Sequence, residues 1–405
     1  MPLLRTLRTL NTLRRDVAQL ALQTVGLKKA RVGAGKPVLY AKAVPAQSAV
    51  SPFALHVVDV VRETADAISI VAIPADGQPI RFQPGMFLTL IITIDLQEYR
   101  RAYSISSSAQ EDSVVVITVK RVPDGKVSNW LNDHISPGST LRVLGPSGSL
   151  PSPLAPLPQG EGKEARTLLL VAGGSGITPL MSIARTVLAV EPQTRIHLLY
   201  GNRSMGDIIF HAALRDLKKR YVKRMALTHV LEQPPKGWKG WVGRLDRAMF
   251  ASLLDAILVN TAIAAIADLE VYTCGPAPLM QGVWEEVLAR GLPAGRFHQE
   301  NFTPAVAATD SSRFATQTLA IQSQGKTWSG LVPAGQTLLE AGLSLGAPML
   351  FSCTLGGCGS CRVQVTDGEV EMPEPNCLSS EEKAQRYALA CIARPCSPVR
   401  IDIPH

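Results

Sequence analysis

The sequence predicts a multidomain chain: a β-rich unit, then a parallel α/β unit, then a small unit organised around cysteines. Three observations predict it. Runs of β-branched residues divided by Gly, Pro and Asp turns fill residues 51–150. Residues 167–304 alternate strand-like and helix-like patterns, as a parallel sheet with crossover helices requires. Near the C-terminus, Cys353, Cys358 and Cys361 stand as C-x4-C-x2-C, and Cys391 follows after 29 residues.

The 405 residues suit about three domains, and 46% hydrophobic with 18% charged residues is a globular composition. No uninterrupted apolar run is long enough to cross a membrane. The most apolar stretch, Leu253 to Ala267, contains Asp255 and Asn260 and reads as a buried helix or strand. Reduced thiols and the lack of a recognisable secretory signal predict a cytoplasmic protein. Nine Lys and Arg residues against Asp16 alone give residues 1–50 a charge of +8, which is also the net charge of the whole chain. The remainder is therefore neutral, and a nucleic-acid role for the body of the protein has no support.

The elements follow in order. Residues 1–50 are a basic N-terminal extension. Within it, Leu3, Leu7, Leu10, Leu13, Val17 and Leu20 form one helical stripe across residues 1–27, with arginines between them and Gly26 as a stop. Such a helix can pack on its own protein, lie on a membrane surface, dock on a partner, or act as a transit peptide. A membrane-surface role would place the protein peripherally on the inner membrane face. Val57–Val61, Ile68–Ile73, Phe87–Ile94, Val114–Val119 and Thr140–Leu144 are expected strands. Residues 151–304 form the α/β unit, opening with a proline-rich linker, 151–166. Its expected strands are Leu168–Ala172, Ile196–Tyr200, Leu227–Leu231 and Val271–Thr273, and its expected helices include Leu180–Val190 and Ala277–Arg290. Residues 305–314 are a second linker, and residues 315–405 carry the cysteines.

The cysteine spacing is that of thiolate ligands to a plant-type [2Fe-2S] cluster. Thr354-Leu-Gly-Gly357 must wrap a compact inorganic core, and its two glycines permit unusual backbone angles. Structural zinc and disulfides are the competing readings. Zinc ribbons place two short Cys pairs far apart, and seven cysteines is an odd number. Cys396 rivals Cys391 as fourth ligand, and Cys377 reads as an ordinary loop residue.

In the α/β unit, Gly173-Gly-Ser-Gly-Ile-Thr-Pro179 joins a buried strand to a helix. Such a turn lets backbone N–H groups and a helix N-terminus approach a pyrophosphate. It departs from G-x-G-x-x-G, since Pro179 takes the third glycine's place. Val271-Tyr-Thr-Cys-Gly-Pro276 ends another strand on the same sheet edge, where Cys274 can face a nicotinamide or be a small buried thiol. Arg203 and Ser204 follow the strand Ile196–Tyr200, where a dinucleotide's adenine ribose is read. They suit a 2′-phosphate and so favour NADPH, with NADH as the alternative.

In the β-rich unit, Arg101 and Tyr103 of Arg100-Arg-Ala-Tyr-Ser104 share one strand face. There an arginine can pair with phosphate while a tyrosine stacks on a flat heterocycle, and Ser104 can meet a ring nitrogen. Gly125-Lys-Val-Ser128 opens a short helix, a second phosphate cradle.

Together these residues resemble the ferredoxin–NADP reductase superfamily over roughly residues 51–405. Arg101-Ala-Tyr-Ser104 is similar to its R-x-Y-S flavin motif, Gly173–Pro179 to its G-G-x-G-x-T-P loop, and Cys274-Gly-Pro276 to its C-G-P turn, with a plant-type ferredoxin fused behind. The arrangement resembles the reductases of phenylacetyl-CoA epoxidases, steroid hydroxylases and fatty-acid desaturases. The resemblance implies an antiparallel β-barrel FAD domain at 51–150, an NAD(P)-binding domain at 151–304 and an α+β β-grasp ferredoxin domain at 315–405. It implies that Arg101, Tyr103, Ser104, Lys126, Val127 and Ser128 hold FAD. Gly173, Gly174, Gly176 and Thr178 would hold the NADPH pyrophosphate. Cys274, Gly275 and Pro276, with Glu300, would lie at the nicotinamide–flavin contact, where Ser104, Cys274 and Glu300 are the expected catalytic residues. Cys353, Cys358, Cys361 and Cys391 would ligate the cluster.

The expected function is an electron-transfer reductase running from NADPH through FAD and [2Fe-2S] to a separate oxygenase. The basic helix favours a membrane-bound fatty-acid desaturase or hydroxylase as acceptor. A soluble ring-hydroxylating or epoxidising oxygenase is the alternative, and a non-catalytic redox sensor or zinc protein is a third reading.

Overall fold

The computed structural model describes residues 52–110, 114–148, 166–260, 265–302 and 314–404, apart from 352, 355, 358 and 375. The basic segment 1–50, most of both linkers and Cys358 lie outside the described residues.

The first domain is one six-stranded antiparallel sheet. Its strands are β1 (Phe53–Thr64), β2 (Ala67–Pro74), β3 (Phe87–Ile94), β4 (Gln97–Ser104), β5 (Val115–Lys120) and β6 (Thr140–Ser147), in the order β4-β3-β6-β1-β2-β5. A bridge between Ile105 and Ile117 joins the two outer strands and closes the sheet into a barrel. Inward residues such as Leu55, Ile70, Leu88, Leu90 and Ile117 fill it. Helix α1 (Lys126–His134) packs Val127 and Leu131 into the same core.

Of β4, the sequence reading placed only Arg100–Ser104 on a strand and missed its start at Gln97. The turn before it is Asp95-Leu96, with φ of 51° and 63°. Two left-handed residues make the tight turn that matches strand twist, a place usually signalled by Asn-Gly. Here the signal is missing because Leu96 adopts the conformation without a glycine's freedom.

The second domain is a six-stranded sheet: β7 (Thr167–Gly173), β8 (Arg195–Asn202), β9 (Met225–Leu231), β10 (Trp241–Val242), β11 (Leu269–Cys274) and β12 (Phe297–Glu300). All neighbours are parallel, in the order β10-β9-β8-β7-β11-β12. Helices α2 (Ile177–Val190), α3 (His211–Arg220), α4 (Arg247–Asn260) and α5 (Ala277–Ala289) connect them. Along β7, Leu168, Leu170 and Ala172 enter one apolar cluster and Leu169 and Val171 the other. Burial on both faces explains why this strand reads as an unbroken apolar run. Helix α2 begins at Ile177, three residues before the expected start at Leu180, and α4 occupies the first part of the ambiguous apolar stretch. The strand order reverses between β7 and β11, so the crevice beyond their C-terminal ends is the topological switch point.

The third domain has a mixed five-stranded sheet, from β13 (Gln317–Ser323), β14 (Lys326–Val332), β15 (Arg362–Asp367), β17 (Tyr387–Leu389) and β19 (Val399–Asp402), in the order β14-β13-β19-β15-β17. A small pair, β16 (Val370–Glu371) and β18 (Arg394–Pro395), lies beside it. β13 and β19 run parallel at its centre, with antiparallel partners outside, a β-grasp arrangement. Helix α6 (Leu338–Ser344) packs Leu338 and Leu339 on the sheet's core and starts with a Thr337–Glu340 capping box. Helix α7 (Ser380–Ala384) opens with the same device, Ser379 and Glu382.

Candidate functional site

The crevice at the switch point is built by glycines. A side chain on Gly176 would put its Cβ 2.0 Å from the Cys274 carbonyl oxygen, and one on Gly173 would come within 2.7 Å of Pro276 Cδ. The β7 turn and the β11 turn therefore meet backbone to backbone, and only glycine allows that approach. Gly174 has φ of +53°, and a Cβ there would meet nothing within 4 Å. Its carbonyl accepts a 2.9 Å hydrogen bond from the Tyr200 hydroxyl, which fixes the turn from beneath. Thr178 is buried, and its hydroxyl donates to the Ser175 carbonyl at 3.1 Å, so its side chain shapes the turn.

Ser104, Cys274 and Glu300 converge. Ser104 is the last residue of β4, Cys274 the last of β11 and Glu300 the last of β12. Parallel register sets Cys274 opposite Glu300. Ser104 Oγ donates to Glu300 Oε1 at 3.0 Å, bridging the first two domains. Burial pushes the Glu300 carboxyl up to about 8, against the lowering effect of the Ser104 bond. Its Oε2 is enclosed and has no hydrogen-bond partner among the described residues. Burial, and then the neighbouring Glu300 charge, push the Cys274 thiol well above its usual value. Cys274 is thus an un-ionised side chain at the wall of the site.

The flavin-side residues are divided between ligand and fold. Arg101 is exposed, and its guanidinium donates to the Arg100 carbonyl at 2.7 Å. Tyr103 packs its ring against the barrel core, and burial raises its phenol pKa. Val127 and Ser128 turn their side chains inward. Ser128 Oγ accepts from Val122 N–H at 3.1 Å, while Val127 joins the core. What the start of α1 offers an anion is its backbone N–H groups, since no side chain caps its first turn. Lys126 Nζ donates to Tyr99 Oη at 3.2 Å, an exposed cation over that ring.

Arg203 and Ser204 have a partner that sequence reading missed. Both bond Asp207: Arg203 through two nitrogens at 2.6 and 3.2 Å, Ser204 through its hydroxyl at 2.6 Å. Burial acts to raise the Asp207 pKa, but Arg203 and Ser204 outweigh it and hold the carboxyl below its usual range. The helical i,i+4 rule does not signal this pair, because Ser204 between them is extended and only Met205–Asp207 form a short 3-10 turn.

Among the cysteines, Cys353, Cys361 and Cys391 are buried, whereas Cys396 is exposed. Pairing of β15 with β17 sets Arg362 opposite Leu389, and Ala390 N–H donates to the Cys361 carbonyl at 2.9 Å. That brings Cys361 and Cys391 together across the end of the sheet. The loop from Cys353 to Cys361 includes Thr354, Gly356 and Gly359 at positive φ. A Cβ on Gly356 would strike Ile392 at 2.6 Å, so the loop closes directly on the Cys391 turn. Cys377 is a loop residue, as expected, and lies beside this turn: its N–H donates to the Gly356 carbonyl at 3.0 Å.

The residues present fit the expected groups. Gly174 leaves open space beside uncrowded backbone, Glu300 Oε2 lacks a partner among the described residues, and three thiols are buried beside a left-handed loop. Comparison with known families agrees. Residues 56–151 match the oxidoreductase FAD-binding domain, residues 170–285 the oxidoreductase NAD-binding domain and residues 321–396 the 2Fe-2S iron-sulfur cluster binding domain. The chain is 34% identical over 358 residues to the ferredoxin reductase component of 3-ketosteroid-9-alpha-monooxygenase from Mycobacterium tuberculosis (strain CDC 1551 / Oshkosh), covering 84% of this chain and 92% of the relative. It is 34% identical over 347 residues to one subunit of the 1,2-phenylacetyl-CoA epoxidase from Escherichia coli (strain K12), covering 84% and 94%. Among solved structures, phthalate dioxygenase reductase superposes with a TM-score of 0.58 at 25% identity, covering 87% of this chain and 98% of that one. The barrel, the glycine-built crevice and the cysteine loop, in this order, make the chain a member of the ferredoxin–NADP reductase superfamily, an NAD(P)H-dependent flavin and iron–sulfur oxidoreductase with a C-terminal plant-type [2Fe-2S] domain.

Proposed function

We propose that this protein is the reductase component of a multicomponent oxygenase, passing electrons from a nicotinamide donor to a separate oxygen-activating protein. The observation that carries the reading is the meeting of Ser104, from the flavin barrel, with Cys274 and Glu300, from the nicotinamide sheet. In this reading Arg101, Tyr103 and the N–H groups at Lys126, Val127 and Ser128 hold FAD. Gly173, Gly174 and Gly176 admit the dinucleotide's pyrophosphate, with Gly275 and Pro276 as the facing wall. Cys353, Cys358, Cys361 and Cys391 hold the cluster, and exposed Cys396 does not. The bound groups supply hydride acceptance and one-electron release, while the protein supplies position and electrostatics. Ser104 keeps a hydroxyl, and Glu300 a protonated carboxyl at neutral pH, where the two ring systems must meet.

The donor favoured here is NADH. Arg203 and Ser204 are already engaged by Asp207, and a 2′-phosphate arriving there meets that carboxylate. This reverses the preference that Arg203 and Ser204 suggest when read along the chain.

The acceptor favoured is an oxygenase of the kind the two curated relatives serve, a monooxygenase or an epoxidase. Neither relative's name includes a desaturase, so support for the membrane-bound acceptor reduces to the basic stripe at residues 1–27, outside the described residues. No helix among the described residues is long and apolar enough to cross a membrane. A purified protein lacking residues 1–45 decides between the acceptors. Electron delivery to a soluble oxygenase, undiminished by the deletion, fits the proposal; delivery that requires membranes and residues 1–45 overturns it. Absence of flavin and broad iron–sulfur absorption from the full-length protein would defeat the whole reading.

A further inference from the structure

Arg100 and Arg101 are neighbours on β4, and neighbouring strand residues face opposite ways. Arg101 belongs to the flavin-side motif. Arg100 points to the third domain, where its guanidinium lies 4.1 Å from the centre of the Phe351 ring and donates to the Phe351 carbonyl at 3.4 Å. Phe351 stands two residues before Cys353 and also packs on the core of its own domain. Glu98 holds Arg100 in place at 3.1 Å and is itself bonded by Arg142 at 3.3 Å. One short strand therefore touches the flavin site on one face and the base of the cysteine loop on the other.

We propose that Arg100 and Phe351 form the docking contact that seats the ferredoxin domain on the flavin barrel, with its cysteine loop positioned to receive electrons. The inference rests on the functional reading above. With FAD and the cluster bound, the donor's hydride would leave two electrons on the flavin; the cluster would take the first, pass it to the separate acceptor protein and so be free to take the second, with one proton released from the flavin. Arg100 touches none of the reacting groups and acts as a positioning residue. A cation held over a ring and partly shielded from water is strong enough to bias docking, and its loss should shift the docked fraction by roughly tenfold.

The test uses the full-length, cofactor-loaded protein carrying Arg100→Ala, Phe351→Ala, or both. Flavin and cluster absorbance are followed separately after anaerobic mixing with NADH. Flavin reduction should keep its wild-type rate while cluster reduction slows by roughly tenfold. The double variant should be no slower than either single one, because one contact is lost in all three. Without any reductant, hydrogen exchange should rise in both strand 97–104 and segment 349–354 in each single variant. Unchanged cluster reduction and unchanged exchange in both single variants would overturn the proposal. If one variant fails to retain its flavin or its cluster, the other, in a different domain, decides by the same two readouts. A wild-type protein that NADH and NADPH both fail to reduce would instead sink the functional reading beneath it.

Discussion

Ser104 and Glu300 lie 196 positions apart and meet at 3.0 Å, the hydroxyl of the last β4 residue donating to the carboxyl of the last β12 residue. The bond joins the barrel to the parallel sheet, at the place where the proposed function has the two ring systems meet. Ser104→Ala should leave the cysteine domain unaffected and slow flavin reduction by about a hundredfold, the usual effect of removing one preorganised hydrogen-bond donor. Rapid-mixing measurement of flavin bleaching checks it; a rate within twofold of wild type would remove Ser104 from the catalytic group.

Glu300 makes stability depend on pH. The folded protein keeps the carboxyl protonated up to about pH 8, whereas an unfolded chain releases the proton near 4.5. Between those values the folded state binds more protons, so stability falls as pH rises and levels off above about 8. Glu300→Gln should flatten this part of the profile, gaining stability at pH 8 relative to wild type. Thermal melts of both proteins from pH 5 to pH 9 would reveal a parallel pair of curves if the idea is wrong.

Asp207 should govern the choice between the two nicotinamide donors. Asp207→Asn removes the charge that opposes a 2′-phosphate and leaves Arg203 available to it. The ratio of kcat/KM for NADPH over NADH should rise by about tenfold, the order expected for relief of one like-charge contact. Steady-state kinetics with both donors checks this, and an unchanged ratio would show that the phosphate is read elsewhere.

The two C-terminal thiols should separate cleanly. Cys391 is buried beside Cys361, and Cys396 is exposed past the end of β18. Cys391→Ser should lose the broad iron–sulfur absorption and retain FAD, whereas Cys396→Ser should keep both. The reverse pattern would exchange the two ligands.

A side chain cannot be accommodated where the two turns of the crevice touch. Gly176→Ala would drive a methyl group into the Cys274 carbonyl, so the crevice must open or the variant must lose stability, by about 1–3 kcal/mol for an overpacked site. Raised KM for the nicotinamide donor together with a lower melting temperature is expected. Wild-type values for both would mean that the β7 and β11 turns do not meet in this way.

The sequence by itself determined the three domains, the glycine turns and the cysteine spacing, because each is written locally. A turn needs its glycine at one position, a cluster loop needs thiols at fixed steps, and a doubly covered strand needs a continuous apolar run. Even locally it misled where a residue did an unusual job: Leu96 turns a hairpin without glycine, and Asp207 sits within reach of Arg203 yet carries no motif. Only the tertiary structure decided which residues meet. Glu300 reaches Ser104 because β12 adds beside β11 and the sheet abuts the barrel; Arg100 reaches Phe351, 251 positions away, because the third domain seats on β4. Such contacts depend on sheet order and domain docking, and their partners are too distant along the chain for any local pattern to specify them.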